Sequence, residues 1–350
     1  MDRRFELVQN YTISRVINGC WQLSEGHSLK SGLDFQDIMR AFHMLVENGF
    51  TTFDCADIYT GAEEFIGEFI LELKGGNGVS PNDIQIHTKY VPDADLLSSV
   101  DYNYTEKIID RSLKRLNRDT LDLVQFHWWD YDIPKCVDTA GYLCKLKDKG
   151  KIRNIGVTNF DTRHLADLVE AGIPVASIQT QYSVFDRRPE KSLLSYCRNQ
   201  NIPMICYGAL SGGLLAERWI GQAFPEPETR SQVKYLQVIE DSMGWDGYQD
   251  LLRLLGRIAR KHGATIAHVA AKYILSQPGI AAVIIGIRNS RHVESNARIF
   301  TFDLDESEIE EIRQFLSSYG VPVGDSFELE RTLGSKYRNI MKMNLNEESK

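Results

Sequence analysis

Long apolar segments and paired cysteines are scarce in this chain of 350 residues. No apolar run approaches the roughly 20 residues of a membrane-spanning helix, and the N-terminus has no apolar segment of a secretory signal. The chain has six cysteines, and no two stand in a Cys-x-x-Cys pattern. The sequence therefore predicts a reducing, cytoplasmic location and no membrane partner.

A basic excess is also lacking, because 40 Lys and Arg residues face 48 Asp and Glu residues, for a net charge of −8. A nucleic-acid partner is not expected, since such proteins usually carry a basic stripe. The clearest local excess of positive charge comprises Arg331, Lys336, Arg338 and Lys342. We interpret it as a solvated tail, with an anion or partner contact as the alternative.

Short apolar strands alternate with amphipathic helices from residue 17 to residue 287. Parallel strands that are covered by helices have this apolar character. Eight strand–helix units predict a single-domain α/β fold, a closed (β/α)8 (TIM) barrel. A doubly wound sheet is the alternative, although the chain has no glycine-rich nucleotide fingerprint. The predicted strands are residues 17–23, 51–56, 84–90, 121–127, 152–159, 176–182, 203–210 and 282–287.

Two segments lie outside this repeating pattern. Residues 215–250 form an insertion after strand seven, ahead of helical segments at 249–262 and 264–277, and a long loop at such a place is more often functional than idle. We expect a barrel unit over residues 1–320 and a C-terminal tail over residues 321–350. The tail could close over the pocket or tether the bottom of the barrel.

Three neighbouring strands are predicted to end in ionisable side chains, at the end of the barrel that carries catalytic groups. Asp54, Lys89 and His127 end strands two, three and four, and Tyr59 follows strand two. Asp54 and Lys89 can share a buried ion pair, and a cation near Tyr59 would favour the phenolate. A phenol of tuned pKa beside a histidine that donates a hydrogen bond suits the reduction of a carbonyl group.

We assign structural roles to two other ionisable residues near these strand ends. His87 lies two residues before Lys89 and deeper in the barrel, so we expect a hydrogen-bonded interior histidine. Asp57 lies beyond strand two and can cap the following helix. No group of His, Cys and carboxylate residues has convincing zinc spacing, so no metal is expected.

Strands five to eight end in residues that fit one extended ligand. Asn159 and Gln181 end adjacent strands, and their amides suit a neutral amide such as a nicotinamide carboxamide. Tyr207 precedes small residues, which favours ring stacking and then close backbone approach to a phosphate. Arg288 precedes a predicted helix start, a place that favours anions.

The sequence resembles the aldo-keto reductase superfamily over roughly residues 12 to 315. Six motifs carry the resemblance: Phe-Asp-Cys-Ala-Asp-Ile-Tyr (53–59), His-Thr-Lys-Tyr (87–90), Gln-Phe-His (125–127), Gly-Val-Thr-Asn-Phe (156–160), Gln-Tyr-Ser (181–183) and Gly-Ile-Arg (286–288). The resemblance implies an NADPH-dependent oxidoreductase that reduces an aldehyde or ketone to an alcohol by hydride transfer from nicotinamide. It implies a catalytic tetrad with Tyr59 as proton donor, completed by Asp54, Lys89 and His127.

The resemblance also implies the cofactor contacts. Thr158, Asn159 and Gln181 would hold the carboxamide, and Tyr207 would stack on the nicotinamide ring. The pyrophosphate would be lined by Leu210, Ser211 and Gly212, and the adenosine end would meet Arg288 and Asn296. The insertion at 215–250 would fold over the cofactor.

The chain departs from the family pattern near the carboxamide and the 2′-phosphate. Thr158 stands where many members have Ser, which keeps the hydroxyl. His292 stands where many have a basic residue or Gln, and Ser295 stands where many have Glu. Arg288 can still hold a 2′-phosphate in a bidentate manner. We therefore expect NADP, with NAD as the alternative.

The substrate is poorly specified by the sequence. Trp21, Ile58 and Trp128 are predicted to line the pocket, which favours apolar or ring-bearing carbonyl compounds. At least one of Trp128 and Trp129 is expected to pack in the core, because sequence neighbours tend to face apart.

Two other functions are compatible with the residues. A nicotinamide-binding regulatory subunit, as the channel β-subunits of this superfamily are, would need the cofactor residues but no turnover. A Schiff-base aldolase would use Lys89 as nucleophile, which an adjacent Asp54 disfavours by keeping the amine protonated.

Overall fold

A computed structural model describes residues 1–24, 33–76 and 78–346. Eight parallel strands close into a barrel in chain order, the last of them pairing with the first, with helices outside the barrel, so the predicted (β/α)8 barrel is confirmed. The strands are β1 (Arg4–Val8), β2 (Tyr11–Ser14), β3 (Val16–Gly19), β4 (Thr52–Asp54), β5 (Gln85–Tyr90), β6 (Leu121–Phe126), β7 (Ile152–Thr158), β8 (Val175–Gln181), β9 (Met204–Tyr207) and β10 (Ile280–Gly286). The helices are α1 (Phe35–Glu47), α2 (Ala62–Gly75), α3 (Tyr102–Arg115), α4 (Cys136–Asp148), α5 (Thr162–Glu170), α6 (Leu193–Asn199), α7 (Arg230–Ser242), α8 (Gly244–Lys261), α9 (Ile266–Leu275), α10 (Val293–Ala297), α11 (Glu306–Ser317) and α12 (Glu328–Arg331).

Three barrel strands, the first, second and seventh, are much shorter than the apolar pattern predicts, and the second of them is reduced to Thr52–Asp54. The first ends at Gly19, and residues Trp21–Leu23 form a 3₁₀ turn. The seventh ends at Tyr207, because Gly208 has a φ of +76°, which is incompatible with an extended strand. The differences at Gly19 and Tyr207 lie at carboxyl ends of strands, so they expose backbone and side chains to the predicted site.

An N-terminal hairpin, formed by β1 and β2, closes the bottom of the barrel. The sequence analysis included these residues in the barrel unit without assigning this role. Leu7, Tyr11 and Ile13 pack there against interior residues of the barrel strands, including Ile205. The Tyr11 hydroxyl lies 3.1 Å from His87 Nε2, and burial lowers the pKa of that histidine to about 3. The prediction of a hydrogen-bonded interior histidine is confirmed.

Amphipathic helices cover the outside of the barrel and bury one apolar face each. Helix α1 begins after Asp34, whose side chain accepts a hydrogen bond from the Asp37 backbone N–H, as expected of an N-cap. Its Phe42 is fully buried, 4.7 Å from the Phe53 ring on β4 and 5.3 Å from the Phe69 ring on α2. These contacts fix α1 against the strand and the helix that follow it in the chain.

The insertion after strand seven is folded as a helix rather than an open loop. Helix α7 occupies its second half, and α8 begins at Gly244, five residues before the predicted start. A Cβ added at Gly212 would lie 3.2 Å from both Ser231 Cβ and Tyr235 Cδ2. Helix α7 therefore lies directly on the turn that follows strand seven.

The C-terminal segment lies on the barrel, so the expectation of a solvated tail is wrong. Arg331 donates to the Trp128 carbonyl oxygen at 2.8 Å, and Arg338 donates to the Arg331 carbonyl oxygen at 2.6 Å. Lys336 Nζ lies 2.8 Å from Asp241 Oδ1 on α7. Lys342, by contrast, is exposed. These bonds place the segment at the end of the barrel where the predicted site lies.

Across the described ranges, no helix combines the length and apolar character needed to cross a membrane. Within the same part of the chain, no group of three or more His, Cys, Asp and Glu side chains could hold a metal ion.

Candidate active site

An ion pair between Asp54 and Lys89 lies at the floor of the candidate site. Asp54 ends β4 and Lys89 lies near the end of β5, so the parallel sheet brings the two side chains together. Lys89 Nζ lies 2.7 Å from Asp54 Oδ2 and donates to the Cys55 carbonyl oxygen at 2.8 Å. Burial lowers the pKa of Lys89, but the charge of Asp54 outweighs it and leaves the pKa above its usual value. The ammonium therefore stays charged.

Two amides that the sequence reasoning missed support this carboxylate. Gln125 Nε2 on β6 and Gln179 Nε2 on β8 donate to Asp54 Oδ1 at 3.1 and 2.6 Å. Each lies two residues before a predicted site residue, His127 or Gln181, and so shares its inward face. A polar residue at the inward position of an otherwise apolar strand was the available signal.

Tyr59 lies next to this pair, with Lys89 Nζ 5.0 Å from its ring centroid. Burial raises the pKa of Tyr59 to about 12, and the charge of Lys89 lowers it only in part. The expected effect of the cation is therefore present, but the net shift is opposite to the predicted one, because loss of hydration opposes the phenolate more strongly. At neutral pH the phenol carries its proton.

His127 is the first residue after β6 and lies in the candidate site. Its Nδ1 lies 3.1 Å from the Thr158 carbonyl oxygen, which can only accept, so Nδ1 carries the proton. Burial and then the charge of Arg331 lower the pKa of His127 to about 3, so the ring is neutral. Nε2 is buried and finds no hydrogen-bond partner among the described residues. In this tautomer Nε2 accepts a hydrogen bond, whereas the sequence analysis expected it to donate one.

Aromatic rings surround the histidine and the phenol. The Trp129 and Phe327 rings meet the His127 ring edge-on at 4.3 and 5.5 Å, and the Trp21 ring lies 4.7 Å from the Tyr59 ring. Phe327 comes from the C-terminal segment and has a φ of +60°, a conformation that costs energy for a bulky residue. Its place beside His127 could not be read from local sequence.

Three residues were predicted to line the substrate pocket, and the structure treats them differently. Trp21 and Ile58 are partly exposed near Tyr59. Trp128 has no exposed surface and packs against Phe126, with ring centroids 5.9 Å apart. The indole in contact with His127 thus belongs to Trp129, the neighbour that faces the other way.

The predicted carboxamide residues lie at the ends of the neighbouring strands β7 and β8, and Thr158 contacts His127. Tyr207 donates to Asn159 Oδ1 at 2.8 Å, which joins the ends of β7 and β9. Gln181 Nε2 donates to Asp186 Oδ2. Thr158 Oγ1 and Gln181 Oε1 are buried and lack hydrogen-bond partners in the described part of the chain. Such atoms are costly to leave unpaired, and a carboxamide supplies the donor and acceptor that they need. The residues therefore fit a nicotinamide.

The predicted phosphate and adenosine residues lie along the rim beyond Tyr207. Ser211 and Gly212 have φ values of +51° and +63°, which form a tight turn after Leu210. Arg288 follows β10 by two residues, and Asn296 is buried on the short helix α10. His268 Nε2 lies 2.9 Å from the Ser295 hydroxyl, beside Asn296. The order of these residues along the rim follows the strand order, in which β9 pairs with β10.

A buried ion network ties the C-terminal segment to the carboxamide side. Arg188 donates to Asp186 and to Glu330, at 2.9 Å from Asp186 Oδ2 and 3.2 Å from Glu330 Oε2. Lys234 Nζ on α7 lies 2.9 Å from Glu330 Oε1. Burial opposes the charge of Glu330, but the cations Lys234 and Arg188 lower its pKa to about 2. Because Asp186 also accepts from Gln181, the network reaches the predicted cofactor residues.

The chain belongs to the Aldo/keto reductase family, whose profile matches residues 15–317. The matched region spans the barrel strands and every predicted site residue from Trp21 to Asn296. The family thus agrees with the barrel that the structure describes.

Known relatives extend over nearly the whole chain. The aldo-keto reductase YhdN of Bacillus subtilis (strain 168) is 28% identical over 322 residues, covering 90% of this chain and 93% of the relative. The NADP(+) aldo-keto reductase yakc of Schizosaccharomyces pombe is 28% identical over 323 residues, covering 88% and 89%. The NADH-specific methylglyoxal reductase of Escherichia coli (strain K12) is 24% identical over 319 residues, covering 87% and 94%. The solved structure of a glycerol dehydrogenase from Gluconobacter oxydans matches with a TM-score of 0.73 and 27% identity, covering 90% of this chain and 94% of that one.

Proposed function

We propose that the protein is an NADPH-dependent carbonyl reductase that converts an aldehyde or ketone to an alcohol, with Tyr59 as proton donor. The observation that carries the proposal is the protonated phenol of Tyr59 beside the buried Asp54–Lys89 pair. The pair holds a fixed positive charge next to the phenol. That charge stabilises the phenolate that forms when Tyr59 gives its proton to a substrate oxygen.

A nicotinamide cofactor fits the residues on the other side of His127. Thr158, Asn159 and Gln181 would hold the carboxamide, Tyr207 would stack on the ring, and Arg288 would favour the 2′-phosphate of NADP. When bound, the cofactor supplies the hydride. The S. pombe relative is named for NADP(+), which supports this choice, whereas the E. coli relative is named as NADH-specific, which keeps NAD as the alternative.

The chain's own residues would then move one proton and orient one oxygen. The phenol of Tyr59 donates its proton to the carbonyl oxygen as the carbon becomes tetrahedral. Lys89 stabilises the resulting phenolate, and Asp54 keeps Lys89 charged and in place. His127 Nε2 accepts from the hydroxyl group that this transfer creates, because its Nδ1 proton is held by Thr158.

The two rival functions require different residues of the candidate site. An aldolase needs a neutral Lys89 as nucleophile, and the raised pKa of this amine counts against it. A regulatory subunit would keep the cofactor residues without needing Tyr59 or His127.

The six free thiols are compatible with the cytoplasmic location that we continue to predict.

The decisive experiment follows absorbance at 340 nm from NADPH, and then from NADH, with aromatic and aliphatic aldehydes. We expect Tyr59→Phe to lower kcat by at least about 100-fold, the contribution of a general acid, while NADPH binding measured by fluorescence is retained. Tyr102→Phe, on α3 outside the barrel, is the control and should retain activity. NADPH binding without turnover of any carbonyl would favour the regulatory subunit, and no binding of either cofactor would refute the proposal.

A further inference from the structure

Beside the candidate active site lies Arg230, a cation that has no carboxylate partner among the described residues. It begins helix α7, it is half-buried, and burial lowers its pKa. Its Nη2 donates to the Ile340 carbonyl oxygen at 3.1 Å. Within the described residues, no carboxylate oxygen lies within 4.0 Å of its guanidinium. A partly desolvated arginine of this kind retains N–H groups that suit an anion.

The guanidinium lies close to the predicted proton donor. Arg230 Cζ is 5.5 Å from the centroid of the Trp21 ring, and the Trp21 ring is 4.7 Å from that of Tyr59. A single indole therefore separates the positive charge from the phenol. A small molecule whose carbonyl oxygen meets Tyr59 can reach Arg230 along the face or edge of this indole.

Two acidic side chains of the neighbouring elements are already paired with other cations. Glu330 is bound by Arg188 and Lys234, and Asp241 on α7 is bound by Lys336. Neither of these two carboxylates therefore compensates the charge of Arg230. A negatively charged ligand is the group that would compensate it.

We propose that Arg230 binds the carboxylate of the substrate, so that the enzyme prefers oxo acids, meaning aldehydes or ketones with a carboxylate a few carbons from the carbonyl. This inference rests on the proposed function, since it requires the carbonyl to lie at Tyr59. Guanidinium and carboxylate match in shape and charge and form paired hydrogen bonds. The indole of Trp21 would cover the apolar carbons between the two polar groups.

A cofactor phosphate is a competing anion for Arg230. The next residue, Ser231, lies against Gly212 in the turn predicted to line the pyrophosphate. Arg230 itself lies over Trp21, on the side of the barrel that carries Tyr59. We therefore assign it to the substrate, and the experiment separates the two by measuring each ligand.

The test compares 4-oxobutanoate with its neutral methyl ester as substrates, at saturating NADPH. The ratio of kcat/KM for acid over ester isolates the charge, because both compounds undergo the same chemistry. We expect wild type to favour the acid, and Arg230→Gln to reduce the ratio by about 10- to 100-fold, the usual contribution of a charged hydrogen bond. Arg230→Lys should recover part of it. Arg253→Gln, at an exposed arginine on α8, should leave the ratio unchanged.

Each outcome decides the assignment. Equal kcat/KM for acid and ester in wild type would overturn it without any variant. A raised KM for NADPH in Arg230→Gln, with the ratio unchanged, would assign Arg230 to the cofactor. If no carbonyl is turned over, the proposed function fails, and tryptophan fluorescence then tests the site with succinate and dimethyl succinate. Quenching by succinate alone, lost in Arg230→Gln, would uphold the anion site, and its absence in wild type would overturn it.

Discussion

Substitution of either partner in the Asp54–Lys89 pair should destabilise the fold, and to unequal extents. In Lys89→Met the carboxylate of Asp54 keeps two amide donors, Gln125 and Gln179. In Asp54→Asn the ammonium of Lys89 keeps only the Cys55 carbonyl oxygen and faces a new N–H group. We therefore expect Asp54→Asn to be the more destabilising of the two.

The magnitude follows from the distance and the burial. At 2.7 Å the attraction is about 6 kcal/mol for an effective dielectric constant of about 20, and removal of each ion from water costs several kcal/mol. Each single substitution leaves one charge uncompensated and should lower the free energy of unfolding by about 3–5 kcal/mol. The double variant, Asp54→Asn with Lys89→Met, leaves neither charge. Its free energy of unfolding should therefore be at least about 3 kcal/mol higher than the sum of the two single effects predicts.

Urea unfolding at pH 7, followed by circular dichroism and tryptophan fluorescence, measures this coupling. An exposed pair of equal length provides the control, because Arg257 and Glu311 also approach to 2.7 Å but are 55% and 43% exposed. Their double-variant cycle should give at most about 1 kcal/mol. Additive effects at Asp54 and Lys89, in variants with unchanged spectra, would refute the reasoning that burial strengthens this pair.

Two further predictions concern a pH-dependent stability and a hydroxyl group. Burial raises the pKa of Asp57 to about 7, so between about pH 4 and 7 the folded chain binds more protons than the unfolded chain and its stability falls as the pH rises. Asp57→Asn should therefore gain stability over wild type across that range, by up to about 4 kcal/mol in urea titrations, and a difference that does not change with pH would contradict this. Thr158→Val should leave the unfolding free energy nearly unchanged, because Thr158 Oγ1 has no partner among the described residues. It should raise the Kd for NADPH by about tenfold, measured by fluorescence titration, and unchanged cofactor affinity would show that the hydroxyl does not meet the cofactor.

The barrel itself could be predicted from local patterns. Each strand is apolar and each helix amphipathic, so eight units could be counted without any knowledge of contacts between them. The order of strands in a parallel barrel follows the order in the chain, apart from closure by β10 against β3. Asp54 and Lys89 were therefore expected to pair, and the structure confirms that pairing. The catalytic roles of these residues remain predictions.

Protonation states could not be predicted from residue types alone. The sequence analysis predicted that Lys89 lowers the pKa of Tyr59. Burial raises that pKa by more, so the net shift is upward. It also predicted that His127 donates a hydrogen bond to the substrate. In the structure the Thr158 carbonyl oxygen fixes the proton on Nδ1, so Nε2 can only accept. Both outcomes depend on the solvent exclusion and hydrogen bonding around each group, which only the folded chain defines.

Contacts distant along the chain could not be predicted either. The N-terminal hairpin was missed because two short strands, with exposed residues along β1, carry little periodic signal. The C-terminal segment was interpreted as a tail, since nothing near Arg331 indicates that it would reach Trp128. Phe327 lies 200 positions after His127 and still touches its ring.

By itself, the sequence determined the alternation of strands and helices, the inward-facing polar residues at strand ends and the family. These features depend on spacings of a few residues, and such spacings persist in any conformation of the chain. The tertiary structure decided which nitrogen of His127 faces the site, how far burial raises the pKa of Tyr59, and where Arg230 and the C-terminal segment meet the barrel. These properties come from desolvation and from contacts between distant segments, which exist only after the chain has folded.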